Sequence, residues 1–261
     1  MEDVLTIAGS DSLAGGGIQA DLKTFEELDV FGVSALTSIA SIINDEVVLN
    51  QINSAVILQQ LDSILDQLPI HFAKTGLLGD LSAIKSICHK ISQYELTLVV
   101  DPVLVFKEGS TQIETDYLDV LKDKLLPLSY VVTPNLEEAK QLSGLKEIAT
   151  KADIKKAAIL IQKFGCQNVV IKGGNRFPGD MAVDYLRYED RDYWFESSKI
   201  SKNTTDGAGC TFSAVITAEL ALGQPLPESV YFAKRFVHSG IEKGIKINSQ
   251  LGSVWQGAYR H

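Results

Sequence analysis

Short runs of uniformly apolar residues recur along this chain, separated by segments of helical length. The runs lie at residues 4–8, 33–43, 70–74, 98–100, 130–133 and 168–172. Strands that are covered on both faces of a parallel sheet have this continuous apolar character. The intervening segments 57–68 and 154–164 carry apolar residues at the spacing of an amphipathic helix. The alternation predicts an α/β fold, a three-layer α/β/α sandwich with a mostly parallel central sheet.

One part of the sequence departs from this alternation. Residues 182–188 and 193–197 are rich in β-forming residues and are joined by a polar turn, which predicts an antiparallel hairpin at the sheet edge. Two long helices are predicted after it, at 209–222 and 226–243, with Gly223 ending the first. No repeat or linker interrupts the pattern, so we expect a single domain over residues 1–261.

The amino-acid composition limits the kinds of partner that the protein can bind. The chain has 261 residues and a formal net charge of -9, without a block of Lys and Arg, which argues against nucleic acid or an anionic membrane as a partner. The longest apolar stretch, 33–43, is too short to span a bilayer. The N-terminus lacks the basic region of a secretion signal, and the 3 cysteines form no close pair. We therefore expect a cytoplasmic protein with reduced thiols.

The first candidate ligand loop follows residues 4–8, since ligands in open α/β sheets bind beyond the carboxyl ends of the strands. Gly15, Gly17 and Ala20 match the loose glycine pattern of dinucleotide-binding folds. However, the stretch between Gly9 and Gly15 is too long for the tight turn of those folds, which disfavours a nicotinamide or flavin site. A ligand loop and a glycine turn needed only for packing both remain open.

The second candidate is the Gly-Ala-Gly tripeptide 207–209 at a predicted helix start. The free N–H groups of a helix start and the helix dipole make an anion site suited to a phosphoryl group. Cys210 follows directly, where the same field is expected to lower the pKa of its thiol. Cys88 and Cys166 lie in apolar segments and are expected to be packing residues.

A third candidate pairs Asn135 with Glu138 after the strand at 130–133. This spacing is that of a helix capping box, but an acid there also suits a hydrated Mg²⁺ between phosphate oxygens. Both interpretations stay open on the sequence alone. Single charged residues follow other predicted strands: Lys74, Asp101 with Lys107 in the loop beyond it, and Lys172.

Together these motifs resemble the ribokinase-like superfamily, and within it the branch of hydroxymethylpyrimidine (phosphate) kinases and bacterial pyridoxal kinases. The resemblance covers nearly the whole chain. It rests on TIAGSD at 6–11, GGGIQADLKT at 15–24, KTGLL at 74–78, VDPVLVFK at 100–107, TPNLEEA at 133–139, KGG at 172–174 and GAGCTFS at 207–213. It implies transfer of the γ-phosphate of ATP, with Mg²⁺, to a hydroxymethyl group on a heteroaromatic ring. It also implies a homodimer.

The resemblance further implies a role for each candidate residue. Gly207, Ala208 and Gly209 would form an anion hole, and Cys210 would replace the catalytic aspartate of most ribokinase-like enzymes. Asn135 and Glu138 would organise Mg²⁺, with Asp101 near the same ion. The implied ATP-binding residues are Lys172, Gly174, Thr205 and Lys107. The implied residues around the substrate ring are Gly9, Gln19, Asp21, Ile42 and Phe106.

The nature of the acceptor depends mainly on Ile42. Hydroxymethylpyrimidine kinases of this branch have a Gln-Asn-Thr segment whose Gln binds the pyrimidine, whereas this chain reads Ile42-Ile43-Asn44. An apolar side chain suits pyridoxal better, because a buried amino group without a partner is costly. Against this, Phe106 stands where pyridoxal kinases of the branch often have a second cysteine. We expect a pyridoxal acceptor, with hydroxymethylpyrimidine or dual specificity as the alternative.

Two other classes are disfavoured. A binding protein without catalysis would need a broken anion hole or metal motif, and both motifs are intact. A sugar or nucleoside kinase of the same fold would carry Asp in place of Cys210.

Overall fold

A computed structural model describes residues 1–44, 46–104 and 115–261. Its main element is a 9-stranded sheet with the strand order β3-β2-β1-β4-β5-β6-β7-β8-β9. The strands are β1 Asp3–Asp11, β2 Phe31–Ile43, β3 Glu46–Gln51, β4 Phe72–Thr75, β5 Thr97–Val100, β6 Ser129–Val132, β7 Asn168–Gly174, β8 Met181–Tyr188 and β9 Arg191–Ser198. The six central strands, β2, β1, β4, β5, β6 and β7, pair in parallel, whereas β3, β8 and β9 pair antiparallel with their neighbours.

Helices cover both faces of this sheet. They are α1 Gly17–Glu27, α2 Ser54–Leu65, α3 Leu81–Gln93, α4 Thr115–Val120, α5 Leu136–Ser143, α6 Lys151–Gln162, α7 Ala208–Ala221 and α8 Leu226–Glu242. On one face Ile57, Ile84 and Ile154 pack in the larger core cluster, and on the other Val215 and Phe236 pack in a second one. The three-layer sandwich expected from the alternating pattern is therefore confirmed.

The edges of the sheet hold the main differences from the sequence expectations. The predicted hairpin is present as β8 and β9. A second antiparallel hairpin, β2 with β3, was not predicted, because half of the residues of β3 are polar and four of its six residues are exposed. A small separate sheet, β10 Thr204–Asp206 with β12 Gly252–Ser253 and β11 Ile245–Lys246, was also missed, since its strands have only two or three residues.

Strand β1 is longer than its apolar run. It continues to Asp11, and its register against β2 shifts between Ala8 and Ser10, so that Gly9 lies at an irregularity in the strand. The residues expected to form a loop after β1 therefore begin inside the sheet.

Helix ends follow the expected chemistry. Gly223 has the left-handed φ of +80° just after α7. Asn135 caps α5. Across the ranges that the structure describes, no helix is both long enough and apolar enough to cross a bilayer.

Candidate active site

A cavity of about 860 Å³ opens at the carboxyl edge of the parallel strands. The ends of β1, β4, β5 and β7 contribute Gly9, Lys74, Asp101 and Lys172, and the start of α7 contributes Cys210. These residues are far apart in the chain, and the parallel topology brings their strand ends to one edge. The cavity extends on one side to the β2–β3 hairpin and on the other to β8 and α8.

The start of α7 is shaped for close approach of a ligand. Gly207 has a φ of +76°, and a Cβ there would lie 1.7 Å from the carbonyl oxygen of Gly15. Only glycine fits this contact between the two loops. No side chain caps the helix start, which leaves the first N–H groups of α7 for another acceptor. Gly207, Ala208 and Gly209 all line the cavity, so their backbone offers the geometry of an anion site.

Lys172 and Asp101 form an ion pair beside this helix start. The Nζ atom of Lys172 donates to Oδ1 of Asp101 at 2.8 Å, and a Cβ at Gly209 would lie 3.3 Å from that Nζ. Burial opposes the charge on Lys172, but the attraction of Asp101 and Glu138 outweighs it and raises the pKa of Lys172 above its ordinary value. The lysine therefore carries a positive charge next to the anion site.

A second buried pair lies at the other side of the cavity. The Nζ atom of Lys74 donates to both carboxylate oxygens of Asp21 at 2.7 Å, and Thr6 Oγ1 donates to the same carboxylate at 2.6 Å. Lys74 lines the cavity, but Asp21 does not and is fully buried. The carboxylate of Asp21 is thus taken up by Lys74 and Thr6, and its expected contact with the substrate ring stays a prediction. Asp21 positions Lys74.

Cys210 is half-buried in the first turn of α7, and the N–H of Gly17 donates to its sulfur. Burial raises the pKa of the Cys210 thiol to about 11, although the charge of Lys74 acts in the opposite direction. The expectation of a lowered pKa is therefore wrong, since desolvation of the thiolate outweighs the charge of Lys74 and the hydrogen bond from Gly17. Cys88 and Cys166 are buried, as expected of packing residues.

The capping box of α5 is complete. Asn135 Oδ1 accepts from the N–H of Glu138 at 3.0 Å, and Glu138 Oε2 accepts from the N–H of Asn135 at 2.7 Å. Both residues also line the cavity, as does Asp101. Burial raises the pKa of Glu138 to about 7. The positive charge of Lys172 opposes this increase, and the negative charge of Asp101 adds to it.

The same residues fit a magnesium site that phosphate groups of a ligand would complete. In the described part of the chain, no group of three or more His, Cys, Asp or Glu side chains could hold a metal by itself. Mg²⁺ is commonly bound through one or two carboxylates together with substrate phosphates. Asp101 and Glu138 provide two buried carboxyl groups on one cavity, beside the anion site.

The remaining predicted residues divide into three groups. Gly9, Ile42, Gly174 and Thr205 line the cavity. Gln19 does not, because its side chain accepts from the N–H of Asp11 at 3.0 Å and donates to Ser10 Oγ at 2.7 Å, which holds the end of β1. Phe106 and Lys107 lie outside the described residues.

The sequence reasoning missed a charged pair at the far end of the cavity. Lys234 Nζ of α8 donates to Asp184 Oδ2 of β8 at 2.8 Å, and Asp184 Oδ1 accepts from the N–H of Gly174 at 3.1 Å. Both side chains are buried and both residues line the cavity. Their signal in the sequence is an acid and a lysine at positions where the strand and helix patterns require apolar residues.

Fold and site together define a class of enzyme. A glycine-rich helix start with the geometry of an anion site lies between the two ends of one cavity, and an ion-paired lysine and two carboxyl groups lie beside it. Phosphotransferases use such groups to align and stabilise a phosphoryl group. A family model described as phosphomethylpyrimidine kinase matches residues 11–255. The chain belongs to this family, which lies in the ribokinase-like superfamily, and it is an ATP-dependent phosphotransferase.

Individual relatives are similar along the whole chain. It is 40% identical to a pyridoxine kinase of Bacillus subtilis (strain 168), over 100% of this chain and 97% of that protein. It is 38% identical to a hydroxymethylpyrimidine/phosphomethylpyrimidine kinase of Staphylococcus aureus (strain Mu50), over 98% of this chain and 93% of that protein. The solved pyridoxal kinase of Staphylococcus aureus in complex with AMP-PCP and pyridoxal matches with a TM-score of 0.94 at 40% identity, covering 100% of this chain and 95% of that chain.

Proposed function

We propose that this protein is a pyridoxal kinase, which transfers the γ-phosphate of ATP to the 5′-hydroxymethyl group of pyridoxal in vitamin B6 salvage. The relatives named for one acceptor and those named for the other have nearly the same sequence identity to this chain. Identity alone therefore does not choose between pyridoxal and hydroxymethylpyrimidine. The observation that carries the choice is the apolar wall of the cavity at the β2–β3 hairpin. Ile42 and Val47 are directly opposite each other in this hairpin, and both line the cavity.

This wall disfavours an aminopyrimidine. Side chains opposite each other on neighbouring strands share one face of the sheet, so Ile42 and Val47 form one apolar surface. An exocyclic amino group placed against it would lose its hydration without gaining a hydrogen bond. A methylated pyridine has no amino group to desolvate there. The hydroxymethylpyrimidine (phosphate) kinase activity remains the second candidate, because the matching family model is named for it.

The proposed reaction uses mainly alignment and charge. The N–H groups at the start of α7 and the charge of Lys172 would stabilise the phosphoryl group as it moves between the two oxygens. Cys210 lies at the same helix start and would contact the acceptor hydroxyl. Its thiol is protonated at neutral pH, which suits a loose transition state in which the attacking oxygen needs little activation.

Mg²⁺ belongs to this proposal together with ATP. Asp101 and Glu138 would hold the ion, and when bound it would neutralise charge on the phosphate oxygens. A homodimer in the cytoplasm, acting on small molecules, completes the proposal.

The metal role of Glu138 is separable from its capping role. We expect Glu138→Gln to raise the Mg²⁺ concentration for half-maximal activity by about 10-fold or more, as losses around metal sites typically do. The amide oxygen of Gln can still accept from the N–H of Asn135, so thermal stability should hold. Mg²⁺ titrations and melting curves test this, with Glu137→Gln on the same helix turn as the control. If Glu138→Gln lowers the melting temperature and leaves the Mg²⁺ dependence unchanged, Glu138 acts only in the capping box and not at the metal.

A substrate panel tests the proposed function itself. The purified protein is assayed with MgATP and pyridoxal, pyridoxine, pyridoxamine, hydroxymethylpyrimidine and its phosphate. We expect the highest kcat/KM for pyridoxal, by about 10-fold over hydroxymethylpyrimidine, which is the usual size of one unmatched polar group. Preference for the pyrimidines would establish the second candidate. Binding of these compounds without phosphate transfer would point to a non-catalytic relative.

A further inference from the structure

Few buried polar side-chain atoms in the described part of the chain lack a hydrogen-bond partner. They are Ser38 Oγ, Thr75 Oγ1 and His238 Nε2. A buried polar group without a partner costs stability, so each such group in a folded protein needs an explanation. Ser38 is fully buried, yet it lines the cavity. A ligand in the cavity would supply the partner that the protein itself does not.

The Ser38 hydroxyl packs closely against Gly9 at the edge of the cavity. A Cβ at Gly9 would lie 2.6 Å from Ser38 Oγ, so only glycine at that position leaves room beside the hydroxyl. The neighbouring Thr37 differs, because its Oγ1 donates to the carbonyl oxygen of Leu77 at 2.6 Å. The missing partner is therefore specific to Ser38 and does not reflect a generally loose strand.

Ser38 also lies at the end of the cavity assigned to the ring. Residues four apart on a strand point to the same face, so Ser38 and Ile42 present side chains to one side of β2. The wall of the ring site is then apolar at Ile42 and Val47 and has one hydroxyl at Ser38. Such an arrangement fixes the orientation of an aromatic ring that carries few polar atoms.

We propose that Ser38 is a substrate-recognition residue whose Oγ hydrogen-bonds a polar ring atom meta to the reacting hydroxymethyl group. This inference rests on the proposed function, because it takes the acceptor to be a hydroxymethyl heteroaromatic ring. A serine hydroxyl both donates and accepts, so it can pair with a ring nitrogen or with a ring hydroxyl. Pyridoxal has one of each in the two meta positions, and hydroxymethylpyrimidine has nitrogen in both.

The test compares Ser38→Ala with Ser34→Ala. Ser34 lies on the same strand, is half-buried and does not line the cavity. We expect Ser38→Ala to raise the KM for pyridoxal by about 10-fold or more with a smaller change in kcat, since the ring atom is left unpaired in a buried site. Ser34→Ala should keep the wild-type KM.

Melting curves separate recognition from a structural role. The hydroxyl of Ser38 has no partner in the free protein, so its removal should not lower the Tm without ligand. The Tm increase produced by pyridoxal should shrink in the variant. A lower Tm of the free variant together with an unchanged KM would overturn the proposal.

A comparison of acceptors identifies the ring atom. Ser38→Ala can lower kcat/KM equally for pyridoxal, for its analogue without the ring hydroxyl and for hydroxymethylpyrimidine. That result supports a hydrogen bond to a ring nitrogen. A loss confined to pyridoxal supports a bond to the ring hydroxyl. Unchanged kcat/KM with every acceptor that the wild type phosphorylates overturns the inference and leaves the proposed function standing. A wild type that phosphorylates none of them overturns the proposed function instead.

Discussion

Lys74 and Lys172 each carry a buried charge at the cavity, and each forms an ion pair with one aspartate. The Lys74–Asp21 pair is completely buried, and the Lys172–Asp101 pair is nearly so. Removing one partner of such a pair typically costs about 3–5 kcal/mol, because the other charge is left without compensation. Placing two lysines near Cys210 and the anion site therefore requires both aspartates, whether or not these touch a substrate.

The thiol of Cys210 provides a test at the scale of one residue. Because burial holds its pKa at about 11, the thiolate fraction should increase about tenfold per pH unit across the neutral and mildly alkaline range. We expect iodoacetamide to label Cys210 before Cys88 and Cys166, because Cys210 alone among them lines the cavity. MgATP should slow this labelling. Mass spectrometry of labelled peptides from pH 7 upwards measures the profile.

Cys210→Ser is the control for this labelling. It should remove the early-reacting site and leave the slow reaction of the other thiols. A labelling rate that levels off near neutral pH would instead mean that the field of the helix start prevails over burial. Equal labelling of the cysteines, with no protection by nucleotide, would place Cys210 among the packing residues.

Among the elements, helix α7 has the most direct consequence for activity, because its start is the proposed anion site. We expect Gly209→Val to lower kcat by about 100-fold while ATP still binds, as loss of one oxyanion-type donor typically does. A Cβ at this position already lies 3.3 Å from Lys172 Nζ, so the methyl groups of Val would displace the lysine or the phosphate. Steady-state kinetics and a nucleotide-binding titration measure the two effects.

Gly209→Ala provides the graded control, since a single methyl group needs only a small adjustment of Lys172. Its kcat should fall less than that of Gly209→Val. A folded Gly209→Val protein with the wild-type kcat would remove the anion-hole role from this turn.

The elements of the fold differ in how far the sequence could predict them. Strands β4 to β7 are buried on both faces, so their uniform apolar runs identify them without knowledge of their neighbours. The edge strand β3 lacks such a run, because one side of it meets solvent. Strand ends were a sound guide to the candidate site, because parallel topology alone brings them together.

The partners of individual side chains were not predictable in the same way. The ion pair between Asp21 and Lys74 spans 53 residues of sequence, and no spacing rule connects the two. The pKa of Cys210 depends on how deeply the finished fold buries it, which the local helix signal does not contain. Both outcomes depend on packing between distant segments of the chain.

At the scale of the whole molecule, the sheet has an antiparallel hairpin at each edge, and the cavity reaches from one to the other. The parallel centre and α7 supply the groups that are proposed to handle phosphate. The β2–β3 hairpin supplies the apolar wall at Ile42 and Val47, and β8 and α8 supply the charged pair at the opposite end. Selection of the acceptor and chemistry on phosphate are therefore assigned to different parts of the chain.

This separation predicts that the acceptor preference can change without loss of phosphoryl transfer. Ile42→Gln should lower kcat/KM for pyridoxal and hold or raise it for hydroxymethylpyrimidine. The ratio of the two values should move by about 10-fold or more, because an amide replaces the apolar contact with the ring. Parallel kinetics with both acceptors measure the ratio.

Ile39→Gln is a closely matched control for this variant. Ile39 and Ile42 lie on the same strand and are both 38% exposed, but Ile39 points to the other face and does not line the cavity. It should leave the ratio unchanged. An unchanged ratio in Ile42→Gln would remove the main argument for pyridoxal over the pyrimidine.

The close contact between Gly15 and Gly207 has a consequence for folding during synthesis on the ribosome. The two sides of this contact are separated by roughly 190 residues of chain, which take about 10–40 s to translate. Throughout that time the glycine loop after β1 has no counterpart to close against, since Gly207 and the start of α7 do not yet exist. A nascent chain therefore cannot use this anion site until α7 has emerged, and ATP can stabilise the fold through it only at the end of synthesis.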